Sequence, residues 1–180
     1  MREPEPETIR RAQAGDLRAF ESLVREYQAD VWRFAYHLTR NRTIAEDVTQ
    51  EAFLKAFRSL RSFRGDSKFS SWLLRIARNC AVDAYRRTRH EGPVPDDALA
   101  AMSSDRPSGS AEDRIRIAQA IRALPEELRE LFVVIEVLGF AYPEASAILG
   151  VKMGTVKSRM HRARAHLMRA LGEGEAAGEV

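Results

Sequence analysis

Apolar residues recur at helical spacing through most of the 180 residues, and no run alternates with period two for long enough to read as a strand. The expected fold is therefore all-α. After a short helix around 6–14, Asp16 is placed to cap a long helix through Arg40. Its inward stripe reads Leu17, Phe20, Leu23, Val24, Tyr27, Val31, Phe34 and Leu38. Thr43 and Glu46 have capping-box spacing, which predicts a third helix running to about Arg61. Phe63 to Phe69 reads as a loop, because Gly65 tolerates positive φ while Asp66 and Ser67 favour turn hydrogen bonds. Ser70 then caps a fourth helix from Ser71 to about Arg89.

The helical period stops between Glu91 and Glu112, a stretch with three prolines, two glycines and several Ser and Asp residues. This predicts a flexible linker and two small helical domains: 1–90, the linker at 91–111, a second domain at 112–171, and a polar, disordered tail at 172–180. The second block divides into helices at 112–123, 125–138, 143–149 and 153–171, with Pro125 opening one and Gly139 and Gly150 closing two. The last two form a helix-turn-helix, which places its second helix in the DNA major groove.

Composition sharpens this picture. A chain with 44% hydrophobic and 31% charged residues can build one or two modest cores, too little for a large catalytic domain. The net charge is only +3, yet 25 of the 29 basic residues are Arg, gathered near 75–89 and 152–169. Segregated charge of this kind points to a polyanion; the competing reading is a solvated helix face. In the last helix Val156, Met160, Ala163 and Leu167 form the inward stripe, leaving Lys157, Ser158, Arg159, Arg162 and Arg164 outside with no acid from Lys152 to Leu171. Crowded cations without counter-charges expect an anion such as phosphate, and Arg and Lys also read guanine edges.

Two other faces carry contrasting chemistry. Asp47, Gln50, Glu51, Leu54 and Arg58 share one outer stripe of the third helix, acidic and amide-rich around one apolar side chain. Such a stripe suits a protein helix better than DNA, which would repel it; an ordinary exposed face is the alternative. Arg75, Arg78, Asn79, Val82 and Arg86 line one face of the fourth helix, with Arg87 and Arg89 at its end, so that this face can follow a phosphate backbone.

Several functions are excluded by the same reading. The N-terminus has no signal-peptide core and no stretch approaches the roughly 20 apolar residues of a membrane span, so a cytoplasmic protein without direct membrane insertion is expected. Cys80, the one cysteine, falls on the apolar stripe with Leu73, Ile76 and Ala84 and reads as core, with a reactive thiol as the alternative. His37, His90, His161 and His166 lack ligand spacing, so no metal is expected. No paired-carboxylate signature or Gly-rich phosphate loop suggests an enzyme, a cofactor or a small-molecule substrate.

Gly154-Thr155-Val156-Lys157-Ser158-Arg159, followed by His161-Arg162-Ala163-Arg164, resembles the promoter-reading helix in the fourth domain of sigma-70-family transcription initiation factors. Asp47 through Phe57 resembles the polymerase-binding helix of that family's second domain. Phe63-Arg64-Gly65 through Trp72–Asn79 resembles the loop and helix that open the promoter. The likeness covers residues 16–90 and 112–171 and points to the small two-domain extracytoplasmic-function type.

The resemblance implies that Asp47, Gln50, Glu51, Leu54 and Arg58 meet the clamp helices in the largest subunit of core RNA polymerase. It assigns the minus-ten element of promoter DNA to Phe63, Arg64, Gly65, Asp66, Ser67, Lys68, Phe69, Arg75, Arg78, Asn79 and Arg86. The minus-thirty-five element falls to Thr155, Lys157, Ser158, Arg159, Arg162 and Arg164. Melting DNA costs on the order of a few kcal/mol per unstacked step, which a pocket for an extruded base can offset; Phe63, Phe69 and the loop backbone are the candidates, while Trp72, on the apolar side with Ile76 and Cys80, reads as core, with a stacking platform as the alternative. Control by an anti-sigma protein, often membrane-anchored, is also implied, because no sensory domain follows residue 171. Two caps depart from the family pattern: Ala141 and Lys152 stand where Ser or Thr is common. Each weak cap costs about 1 kcal/mol, which predicts a less stable second domain. A dimeric helix-turn-helix regulator binding duplex operator DNA is the competing function, but it leaves the Asp47 stripe and the 63–69 loop without a role.

Overall fold

The computed structural model describes residues 1–88 and 111–176, and helices account for nearly all of them, with no strand among the described residues. The first half holds α1 (Pro6–Gln13), α2 (Leu17–Thr39), α3 (Arg42–Ser59) and α4 (Phe69–Thr88), with a 3-10 turn at Leu60–Ser62 after α3. The second holds α5 (Ala111–Ala123), α6 (Glu126–Phe132) continuing into a π turn at Val133–Val137, α7 (Tyr142–Leu149) and α8 (Met153–Ala176). The all-α expectation is met. Most of the expected linker, and His90 with it, lies outside the described residues.

Helix ends follow local chemistry, though not always at the expected residue. Asp16 caps α2 as expected, its Oδ1 accepting from the amides of Arg18 and Ala19 at 2.9 and 3.2 Å. At α3 the cap is Asn41 rather than Thr43: its Oδ1 accepts from Ile44 N at 3.0 Å, while Glu46 pairs with Arg42 instead of reaching back. An Asn one position before the first helical residue has the short acceptor that a cap needs, and it starts the helix before Thr43 can. The fourth helix likewise begins at Phe69, and Ser70 is buried inside its first turn. Its free amides are taken by a side chain from far away: the Glu3 carboxylate accepts from Phe69 N at 2.9 Å and from Ser70 N at 3.3 Å. The last helix runs to Ala176, into the tail expected to be irregular.

In the first half, α2, α3 and α4 pack on one another with α1 against α2. Leu23, Tyr27, Val31 and Phe34 fill the centre from α2, and Ala45, Ala52, Ala56 and Ala77 let α3 and α4 approach closely. Burial of each large apolar side chain is worth roughly 1.5–3 kcal/mol. Leu17 is the exception to the expected stripe, at 66% exposed. It lies about 120° around the helix from Leu23, at the edge of the apolar arc. In the second half α8 is the hub, touching α5, α6 and α7, and Val156, Met160, Ala163 and Leu167 are buried as its inward stripe.

The two halves also pack against each other, α4 on α7 and α2 on α6. Arg129 of α6 is buried at this junction, donating from Nε to the His37 carbonyl at 3.0 Å and from Nη1 to the Leu124 carbonyl at 3.1 Å. Arg40 adopts a left-handed conformation at the end of α2 (φ 55°), a geometry that costs a non-glycine residue roughly 1–2 kcal/mol. Its guanidinium reaches across to the Arg122 carbonyl, a bond that helps offset the strain.

Candidate nucleic-acid and protein interfaces

On α3 the small residues Ala45, Val48, Ala52 and Ala56 face the core, so the opposite side faces outward. Asp47, Gln50, Leu54 and Arg58 are exposed there, and Glu51 is half-buried beside them. Hydrogen bonds from Lys55 at 2.8 Å and Arg87 at 3.3 Å hold the Glu51 carboxyl below the usual carboxylate range. Leu54 is 57% exposed and Phe57 43%, an apolar pair where solvent alone would favour polar residues. Phe57 stands edge-on to Phe20 with ring centroids 4.9 Å apart. Together with Val24 and Phe53 these residues line an open apolar groove between α2 and α3, with Gln50 at its rim. Phe20 was expected on the inward stripe of α2 and Phe57 only as the end of the 47–57 motif, so neither was among the expected docking residues. The signal was present, since Leu54 and Phe57 are three apart and both lie off the buried Ala45–Val48–Ala52–Ala56 stripe.

The 63–69 loop leads directly into α4. Arg64, Gly65, Asp66 and Lys68 are exposed, Phe63 and Ser67 are half-buried, and Gly65 has the positive φ of 79° that turns the chain. Phe69 sits differently from the expectation of a base pocket: it is 2% exposed, wedged between Tyr27 (5.5 Å) and Trp72 (5.6 Å). A side chain this deep forms the floor of the loop, leaving Phe63, which touches both Phe69 and Trp72, and Trp72 itself as the aromatics of the cluster that solvent partly reaches. Trp72 is half-buried, packed against the core rather than enclosed in it. Along α4, Arg75, Asn79 and Arg86 are exposed, whereas Arg78 is turned toward the second half and paired with Glu130 of α6. Cys80 is fully buried, and burial pushes its thiol pKa up, as suits a core residue rather than a reactive one.

Helix α8 opens the third face. Gly154, Lys157, Ser158, Arg162 and Arg164 are exposed and Thr155 and Arg159 half-buried. The expectation that these cations lack counter-charges is corrected by the tertiary structure. Arg159 pairs with Glu127 at 2.6 Å and Arg164 with Glu136 at 2.8 Å, both acids coming from α6 and its π turn. Such acids are invisible to a reading of α8 alone. Lys157 and Arg162 keep no ion-pair partner among the described residues.

The preceding helix α7 starts at Ala141 without a side-chain cap, as expected. Glu144 compensates in part, accepting from Ala141 N at 2.7 Å through one oxygen and from Lys68 Nζ at 2.7 Å through the other. Burial opposes ionisation of Glu144, but these two bonds outweigh it and lower its pKa. Gly150 then ends α7 in the left-handed conformation (φ 65°) that lets the chain turn into α8.

Among the described residues no three His, Cys, Asp or Glu side chains converge as metal ligands, and no helix is long and apolar enough to cross a membrane. The geometry defines a helical DNA-binding protein of two domains: a helix-turn-helix with a cationic outer face in one, and in the other a cationic helix set apart from an acidic and apolar outer face.

The family profile Sigma-70 region 2 matches residues 23–91, and Sigma-70, region 4 matches residues 114–167. The RNA polymerase sigma-H factor of Pseudomonas aeruginosa is 34% identical, covering 94% of each chain. The extracytoplasmic-function sigma-E factor of Escherichia coli is 38% identical over 87% of this chain and 88% of its own. Among solved structures, the sigma factor RpoE of Bartonella quintana, in complex with the anti-sigma factor NepR, superposes with a TM-score of 0.71 at 30% identity, covering 85% of this chain and 96% of that one. The chain belongs to the extracytoplasmic-function RNA polymerase sigma factors of the sigma-70 family. It is thus a transcription initiation factor that gives core RNA polymerase its promoter specificity, and the dimeric-regulator reading is not favoured.

Proposed function

We propose a division of labour among the three faces. Asp47, Gln50, Glu51, Leu54 and Arg58 dock on core polymerase, with Phe57 and Phe20 extending the apolar contact. The 63–69 loop, with Arg75, Arg78, Asn79 and Arg86 of α4, takes the minus-ten element and helps to open it. Thr155, Lys157, Ser158, Arg159, Arg162 and Arg164 of α8 meet the minus-thirty-five element. The observation that carries this reading is the segregation itself: exposed apolar side chains on α3 sit beside Asp47, Gln50 and Glu51, while α4 exposes Arg75 and Arg86 and α8 exposes Lys157 and Arg162. A phosphate backbone is repelled by the first and drawn to the other two.

On this reading the protein acts in the cytoplasm, by binding rather than by catalysis, with domain limits near 1–90 and 112–171. A protein inhibitor is part of it. The Bartonella relative is solved with an anti-sigma factor bound, and the apolar α2–α3 groove here has the character of a helix-docking surface.

The test is transcription in vitro from a genomic fragment library with core polymerase, with and without the protein. Expected are new start sites sharing two spaced upstream elements, lost in Leu54→Glu, which buries a charge at the docking face while leaving the fold untouched. Failure to bind core polymerase would overturn the proposal.

A further inference from the structure

Glu3 and Gln13 precede residue 23, where the family match begins, and neither belongs to any of the three proposed faces. Both nevertheless reach the ends of the 63–69 loop. Gln13, the last residue of α1, donates from Nε2 to the Phe63 carbonyl at 2.8 Å and to the Leu60 carbonyl at 3.1 Å. At the other end Glu3 accepts from Phe69 N at 2.9 Å, from Ser70 N at 3.3 Å and from the Ser70 hydroxyl. The segments that carry these two side chains are pinned in turn. The Tyr27 hydroxyl donates to the Arg2 carbonyl at 2.5 Å, and the Tyr27 ring packs on Phe69. Ala12, next to Gln13, is buried, and α1 packs on α2 and on the 3-10 turn that leads into the loop. Between the two anchors Arg64, Gly65, Asp66 and Ser67 make no hydrogen bond among the described residues.

We propose that Glu3 and Gln13 are positioning residues for promoter opening: they fix the two ends of the 63–69 loop, so that Phe63 and the polar residues after it stand ready for an extruded base. Ordering a loose loop each time a base enters would cost conformational entropy, and a loop anchored by folding avoids that cost at the moment of capture. The chemistry of each anchor matches its end. The first amides of α4 have no partner inside the helix and form the positive end of its dipole, which favours a carboxylate. The Gln13 amide nitrogen has two protons and can serve two carbonyls at once, which a carboxylate cannot do. Both anchors lie in the same domain as the loop and neither touches DNA. The inference rests on the assignment of the 63–69 loop to promoter opening.

The experiment uses the full chain with core polymerase and a promoter recovered from the transcription library. The double variant Glu3→Ala with Gln13→Ala is compared with the wild type and with Phe63→Ala. Hydrogen exchange of the peptide 63–70 should quicken in the double variant while that of 17–39 stays the same; unchanged exchange at 63–70 overturns the anchoring. Affinity for core polymerase should be unaltered. The rate of opening, read as permanganate reactivity of thymines, should fall roughly three- to tenfold, the scale of the hydrogen bonds removed. A template already unpaired across the minus-ten segment should recover most of that loss, because the unstacking cost has been removed beforehand. Equal loss on both templates, or weakened core binding, marks a merely structural role and overturns the proposal. Opening at the wild-type rate overturns it too when Phe63→Ala is slow, whereas a wild-type rate in Phe63→Ala as well marks failure of the loop assignment itself. Should the double variant not fold, Gln13→Glu, which keeps the shape and removes both donors, and Glu3→Gln, which keeps one acceptor, give the same readings singly and at smaller amplitude.

Discussion

Acidification should destabilise this protein through one imidazole. His37 is 4% exposed on α2, and burial, then the charges of Arg129 and Arg33, push its pKa down to about 4. In the unfolded chain a histidine titrates near 6.5. A group whose pKa is depressed by folding contributes its stability fully above the unfolded value and loses it as the pH falls toward the folded one. The full loss is about 3 kcal/mol at 1.36 kcal/mol per pH unit, and roughly 2 kcal/mol of it falls between about pH 7 and about pH 5. Glu51 and Glu144 are held below the usual carboxylate range, so their contribution is lost at more acid pH, outside that window. The assay is urea unfolding at the two pH values for the wild type and for His37→Gln. With a slope near 2 kcal/mol/M, the wild-type midpoint should fall by about 1 M, and that of the variant by much less. Equal falls in the two proteins would refute the assignment. The Arg129 bond is made to the backbone carbonyl of His37, so the substitution leaves it in place.

Three other outcomes are expected. Asn41→Ala should cost about 1 kcal/mol in thermal or chemical unfolding and Thr43→Ala markedly less, since Asn41 holds the free amide of Ile44. Phe69→Ala should lose about 3–5 kcal/mol of stability, as for other buried Phe truncations, whereas Phe63→Ala, at a half-buried ring, should cost markedly less and impair promoter opening in a permanganate footprint of thymines. Lys157→Ala and Arg162→Ala should each weaken binding to duplex carrying the upstream element and lower the salt dependence by roughly one ion per cation removed, read by titration at several salt concentrations.

Periodicity along a single helix is a local property, and what depended on it was legible in the sequence. The helical class, the inward stripe of α8, the cap at Asp16 and the turn at Gly150 all follow from residue spacing and from side chains close to their partners in the chain. The separation of an acidic and apolar stripe on α3 from cationic faces on α4 and α8 was legible for the same reason. What required the tertiary structure were the partners that come from elsewhere in the chain. Glu3 at the start of α4, Glu127 and Glu136 beside Arg159 and Arg164, and Glu130 against Arg78 are fixed by which helix docks on which. Phe69 illustrates the limit: its place in a loop motif suggested an accessible ring, but packing between Tyr27 and Trp72 made it the floor beneath that loop. A sequence specifies which faces a helix offers, and only the docking of helices decides which of those faces, and which charges, remain available to a partner.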